Sequence, residues 1–460
     1  MSFRFYCVAD FNEAYRTGRL TPSDVAERAL AAVDKLDRRE PPMRLFIALD
    51  ADDVRAQAKE STTRFREGRS IGPFDGVPIA IKDEYDVQGY GTTCGTSFLG
   101  KTPATKDALA VARLRAAGAI IFGKTNMYEL GMAASGVNPH HGAARNPYDP
   151  KRDTGGSSSG SAAVVAAGLT PIALGNDGGG SIRIPGSLCG VPGLKGTFGR
   201  VPTEGIALLC WSLEHAGPLA SNVEDLALAF GLITDEKIDL PPMFGRARAP
   251  RIGICDSWWE PASVQVSAVV RAAIDRLRAG GAQIESIELP HVDLSTAVGF
   301  ATFCAEGATA TEAHLRADQP MSLPVRLSLD MARGLSAVSY VKAQRARALI
   351  ARDFDEALAS VDVIISPSTC ITAPIYNEDA FAEGEVNEAR LRELSHFTFP
   401  LNLTGLPAMQ VPCGYDADGM PVGMQIVGRH GADLTTLSVA REVERTTTPA
   451  RPQIWTDLLA

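Results

Sequence analysis

Apolar side chains at Val25, Ala29, Ala32, Val33 and Leu36 recur every three or four residues, which places them along one face of a helix. Thr21 before Pro22, with Asp24 in the first turn, supplies an N-cap start for that helix. A second, more polar helix is predicted over Ala51–Glu67. The period then changes. "DGVPIAIKD" is a short run of β-branched residues and reads as a buried strand ending near Lys82. "DALAVARLRAAG" is helical with Gly118 as its stop, and the strand "AIIF" follows. "SAAVVAAG" reads as a helix of small residues and "PIALG" as a strand. "RIGIC" and "VDVIISP" are two further strands, with "SAVVRAAIDRLRAGG" a helix between them.

Strands separated by helix-length segments predict an α/β fold, with a large mixed, mostly parallel-containing β-sheet covered by helices on both faces. No repeat, heptad seam or clean linker interrupts the chain, so residues 1–460 are expected to form one domain. Within it, 1–68 is an N-terminal helical segment, 70–235 a Gly/Ser/Ala-rich core and 250–445 a more ordinary α/β portion. The Pro- and charge-rich stretch Asp235–Pro250 fits this pattern least.

Composition narrows the function classes. A net charge of −9 without any Lys/Arg run argues against a nucleic-acid surface. The N-terminus has no basic start leading into an apolar stretch, so no signal peptide is read there. The most apolar window, 162–174, is too short to span a bilayer and is broken at Thr170-Pro171. No membrane association is expected. The cysteines are scattered with no CxxC pair, and the histidines lack zinc spacing. Reduced thiols in a cytoplasm, no metal and no cofactor are the expectation.

Two motifs offer chemistry. "GAIIFGKT", Gly118–Thr125, matches the pattern of a phosphate-binding loop. Its intervening residues look like a strand, however, and a cradle of backbone N–H groups needs a flexible loop there. The other motif is "NDGGGSIRIPGSLCG", Asn176–Gly190. Gly178, Gly179 and Gly180 lead into Ser181, and successive glycine N–H groups can converge on one oxygen without a Cβ in the way. A tight turn explains the same run equally well. A Ser/Gly cluster, "TGGSSSGS", precedes it by a helix and a strand, an excursion long enough to bring both loops to one end of a sheet.

From "GGSSSGSAAVVAAGLTPIALGNDGGGSIRIPGSLCGVPGLKGT", with "GVPIAIKDEYDV" before it and "NLTGLPAMQVPCGYDADGMPVGMQIVG" after it, the chain resembles the amidase signature family of serine hydrolases. The resemblance is dense over 70–235 and patchy beyond. It implies a Ser–Ser–Lys triad: Ser181 as nucleophile, Ser157 as the bridging serine on a cis peptide, and Lys82 as base. It further implies an oxyanion hole from the N–H groups of Gly178, Gly179, Gly180 and Ser181, with Gly131 near the bound amide. Ser158, Asp177 and Arg183 fall at supporting positions. Ser159 and Gly178 depart from the residues usual in the family. The implied activity is hydrolysis of the C–N bond of a small linear amide, hydrazide or ureido compound through an acyl-enzyme. A small-molecule partner follows, and a homodimer is implied by the resemblance alone.

A lysine base must be uncharged, and at an unperturbed pKa near ~10.4 that form is scarce at neutral pH. Burial in the apolar strand Val77–Ile81 is the remedy the sequence offers. Asp83 threatens it, but alternation along an extended chain aims Asp83 to the opposite face. Three other functions stay open: the glutamine-hydrolysing component of a tRNA-dependent amidotransferase, a nucleotide-binding protein using Gly118–Thr125, and a non-catalytic binding module on the same fold. The acyl-pocket residues are expected from the Gly131–Ser135 loop and from 240–400.

Overall fold

Burial at every position of the strand that ends in Lys82 follows from where it lies: β2 (Pro78–Lys82) runs between two parallel neighbours, β3 (Ile120–Thr125) and β4 (Ile172–Asp177). The computed structural model describes residues 3–244, 249–385 and 387–460. The remaining strands are β1 (Phe46–Ala48), β5 (Gly193–Lys195), β6 (His215–Ala220), β7 (Arg251–Ile254), β8 (Gln283–Ser286), β9 (Val363–Pro367), β10 (Ala408–Tyr415) and β11 (Pro421–Gly428). All eleven join one sheet in the order β1-β3-β2-β4-β6-β5-β10-β11-β9-β7-β8.

The sheet is mixed. Parallel pairing is confined to β3-β2-β4 and β9-β7-β8, and the remaining neighbours run antiparallel. Both faces are packed, and the alternation of a strand shows how. Ile79 and Ile81 enter a core with Val111, Leu114 and Phe230, whereas Ala80 between them enters a second core with Ala162–Ala167. The helix Ser159–Ala166 is built of small residues because it lies close to the chain beneath it: a Cβ at Gly160 would stand 2.6 Å from the Asn126 nitrogen.

Two expectations need correction or narrowing. The segment 1–68 is not purely helical, since β1 pairs antiparallel with β3 at the sheet edge. The phosphate-loop alternative falls away as its strand-like residues suggested: Ile120–Thr125 is β3, with Gly123, Lys124 and Thr125 inside it. Of the stretch Asp235–Pro250, residues 245–248 lie outside the described residues. Among the described residues, no helix is long and apolar enough to cross a membrane.

Candidate active site

β2, β3 and β4 point the same way, so Lys82, Thr125 and Asp177 end their strands at one edge of the sheet. Crevices at the carboxyl ends of parallel strands are where α/β proteins bind ligands. The two serine loops meet at this edge. Ser157 and Ser158 precede the small-residue helix, and Ser181 follows β4; Ser158 N–H donates to Ser181 O at 3.2 Å and ties the loops together. The Gly156–Ser157 peptide is cis.

Three lysines of this half are fully buried, and their partners distinguish them. Lys124 pairs with Asp83 at 3.0 Å. Lys195 donates to the carbonyls of Gly196 and Leu406, and burial pushes its ammonium well below the usual lysine range. Lys82 alone of the three meets a serine: its Nζ donates to Ser157 Oγ at 2.7 Å and to Asn176 O at 3.3 Å. Asp83 does aim away from Lys82, as alternation requires. The carboxylate that reaches Lys82 belongs to Glu84, at 3.2 Å.

Asp177 organises the glycine loop. Its carboxylate accepts from Gly180 N (2.8 Å) and Ile182 N (3.1 Å), and from Arg183 Nε (3.0 Å) and Nη2 (2.9 Å). Burial opposes ionisation here, but the Arg183 charge and these bonds outweigh it and hold the carboxyl well below the usual range. Asn402 donates to Asp177 O and Oδ1 and accepts from Arg183 Nη2, while Thr398 Oγ1 donates to Gly179 O at 2.6 Å. Gly180 N–H, expected in the oxyanion hole, is therefore already donated to Asp177. Gly178 sits behind the loop, where a Cβ would meet Cys210 Sγ at 2.9 Å and Glu214 Cγ at 3.1 Å.

Lys82 and Ser157 are each 1% exposed and Ser181 9%, so Ser181 is the member of the set that opens outward. It opens into a pocket lined by Gly131–Ala134, Gly179, Ile184, Phe300, Phe303, Leu391, Ser395 and Phe399. A Cβ on Gly131 (φ +70°) would stand 3.3 Å from Ser157 Oγ, which brings this pocket wall against the buried pair.

The amidase family model matches residues 27–437. The chain belongs to the amidase family. A fatty acid amide hydrolase of Oryza sativa subsp. japonica is 39% identical over 466 residues, covering 96% of this chain and 76% of that protein. A glutamyl-tRNA(Gln) amidotransferase component from Roseiflexus sp. (strain RS-1) is 35% identical, with 96% of each chain covered. An amidase crystal structure superposes with a TM-score of 0.87 at 31% identity, covering 96% of this chain and 99% of that one.

Within this amidase fold, sequence reasoning missed Glu84, Asn176 and Glu214. Asn176 Nδ2 donates to Glu84 Oε2 at 3.0 Å and to Glu214 Oε2 at 2.7 Å, and Glu214 Oε1 accepts from the N–H groups of Leu209 and Cys210. For Glu84 a signal existed: two residues beyond Lys82, it falls on the same side of an extended chain. For Asn402 the only signal was its place at the head of the family-like stretch "NLTGLPAMQ", and for Thr398 none existed, because the chain brings both to the site from more than 200 residues away. Among the described residues, no group of three His, Cys, Asp or Glu side chains is arranged to hold a metal ion.

Proposed function

We propose that this amidase hydrolyses the C–N bond of an amide whose acyl part is apolar. Lys82, as the amine, draws a proton from Ser157, which takes one from Ser181. Ser181 Oγ attacks the carbonyl carbon, and the C–N bond breaks as the proton returns through Ser157 to the leaving nitrogen. Water then cleaves the acyl-Ser181 ester and restores the hydroxyl. The N–H groups of Gly179 and Ser181, two residues that line the pocket, are assigned to the carbonyl oxygen, a role worth roughly 3–4 kcal/mol for a key donor.

One observation carries this reading: a buried lysine 2.7 Å from Ser157 Oγ, behind a serine that opens into a pocket. The pocket lining supports the acyl preference. Among the described residues, Ser395 is its one hydroxyl besides Ser181 itself, and no charged side chain lines it. A glutamine side chain would find few partners there, which favours a self-contained amidase over one component of an amidotransferase. The presence of fatty acid amide hydrolases among the relatives points the same way.

A panel of aliphatic, aryl and glutamine amides, assayed with the purified chain and with a serine-directed fluorophosphonate as competitor, tests this. Turnover of apolar amides, blocked by the reagent, is the expected result. Turnover of glutamine alone would overturn the acyl assignment.

A further inference from the structure

The ion pair between Lys82 and Glu84 bears directly on the relay. A base has to give up its proton, and a carboxylate 3.2 Å away stabilises the ammonium form instead. The pair is sealed: Lys82 is 1% and Glu84 6% exposed, so water screens it little. Glu84 is also held in place. Its Oε2 takes both Lys82 Nζ and Asn176 Nδ2, and the same Nδ2 also donates to Glu214. Its Oε1 stands 2.9 Å from where a Cβ of Gly131 would be, beside the pocket wall.

The other titratable groups around Glu84 are the Glu214 carboxylate, the Tyr85 phenol and the thiols of Cys94 and Cys210. Burial raises Tyr85, Cys94 and Cys210 well above their usual ranges, so they stay uncharged at neutral pH. Among the described residues, Lys82 is thus the one cation facing Glu84, and Glu214 the other anion. Burial and the Glu214 charge lift Glu84 to about 6 against the pull of Lys82, so above that pH it is a carboxylate.

We infer that Glu84 is a positioning residue that sets the pH at which Ser181 becomes reactive: by holding Lys82 as the ammonium, it places the acid limb of the enzyme's pH profile higher than burial alone would. The inference rests on the relay proposed above. It adds a control on that relay: the Glu84 carboxylate stabilises the charged form of the base while holding it beside Ser157.

The test is the rate at which a fluorophosphonate labels Ser181, followed from pH 5 to 10 in the wild type, Glu84→Gln, Glu84→Asp and Ser181→Ala. Gln preserves the shape and the Asn176 contact but removes the charge, so the acid limb of E84Q should move to lower pH. An opposite charge at this range is worth roughly one to three units. E84D keeps the charge at a greater distance, and its limb should fall between the two; it also serves if E84Q does not fold. A limb unmoved in both variants, or moved to higher pH, with only the plateau rate lowered, would mean Glu84 merely supports the fold, and the inference would be wrong. Labelling of the wild type no faster than Ser181→Ala would instead sink the relay reading itself.

Discussion

Asp177 and Arg183 are locked together, with no solvent exposure of either side chain, across the bend that carries Ser181. The carboxylate accepts main-chain N–H groups from the same bend, so this one pair fixes both the loop and the base of the helix after it. Asp177→Asn leaves the Arg183 guanidinium buried without its counter-charge and should cost about 3–5 kcal/mol of stability. The sign of the pH dependence follows from the depressed carboxyl. Its contribution is complete above the unfolded Asp value near ~3.9 and is lost as pH falls further. Thermal unfolding should therefore show the full gap between wild type and D177N at neutral pH, closing on acidification below about pH 4.

Removing the proposed nucleophile should silence the enzyme without unfolding it. Ser181→Ala and Lys82→Ala are expected to lower kcat by roughly 10⁴-fold or more on any amide the wild type turns over. A double variant should be little worse than either single one, because the two act as a unit. Steady-state kinetics, with circular dichroism as the folding control, reads both effects.

Gly180 has φ +130°, and a Cβ there would press on Thr398 Oγ1, the hydroxyl that fastens Gly179 O. Gly180→Ala should distort the donor loop and reduce kcat more than it raises KM. A raised KM with kcat unchanged would place the damage in ground-state binding instead.

Phe300 belongs to the pocket wall and packs on Phe399 with ring centroids 5.0 Å apart. Phe300→Ala should raise KM for apolar amides about tenfold or more, given roughly 1.5–3 kcal/mol for burying such a side chain. Labelling of Ser181 by a small fluorophosphonate should change little. A KM series over acyl chain length checks this.

The parts of the site that lie close in sequence are legible in the sequence itself. The family resemblance points to Lys82 and the two serine loops, whereas the local pattern alone leaves the glycine run open to a tight turn; alternation turns Asp83 toward the far face, where Lys124 receives it. The same alternation implicates Glu84, but β2 ends at Lys82 and the following residues read as a turn. Nothing in "HAGPLA" predicts β6, because Gly217 and Pro218 usually signal loops; packing between β4 and β5 overrides that signal. Sequence places the distal pocket wall only to within 240–400. That wall is assembled from a helix at Ser295–Ala310 and from the Leu391–Phe399 stretch, and no local pattern reports that kind of meeting.

The amine at position 82 hangs from five residues gripped by hydrophobic cores above and below. Loosening it would require opening the middle of the sheet, so the relay proposed above has the rigidity of the whole molecule. The walls that choose an acyl group come from helices laid over that platform. Selectivity can therefore be redrawn, by selection or by engineering, through exchanges at Phe300, Phe303 or Leu391 that leave the chemistry untouched.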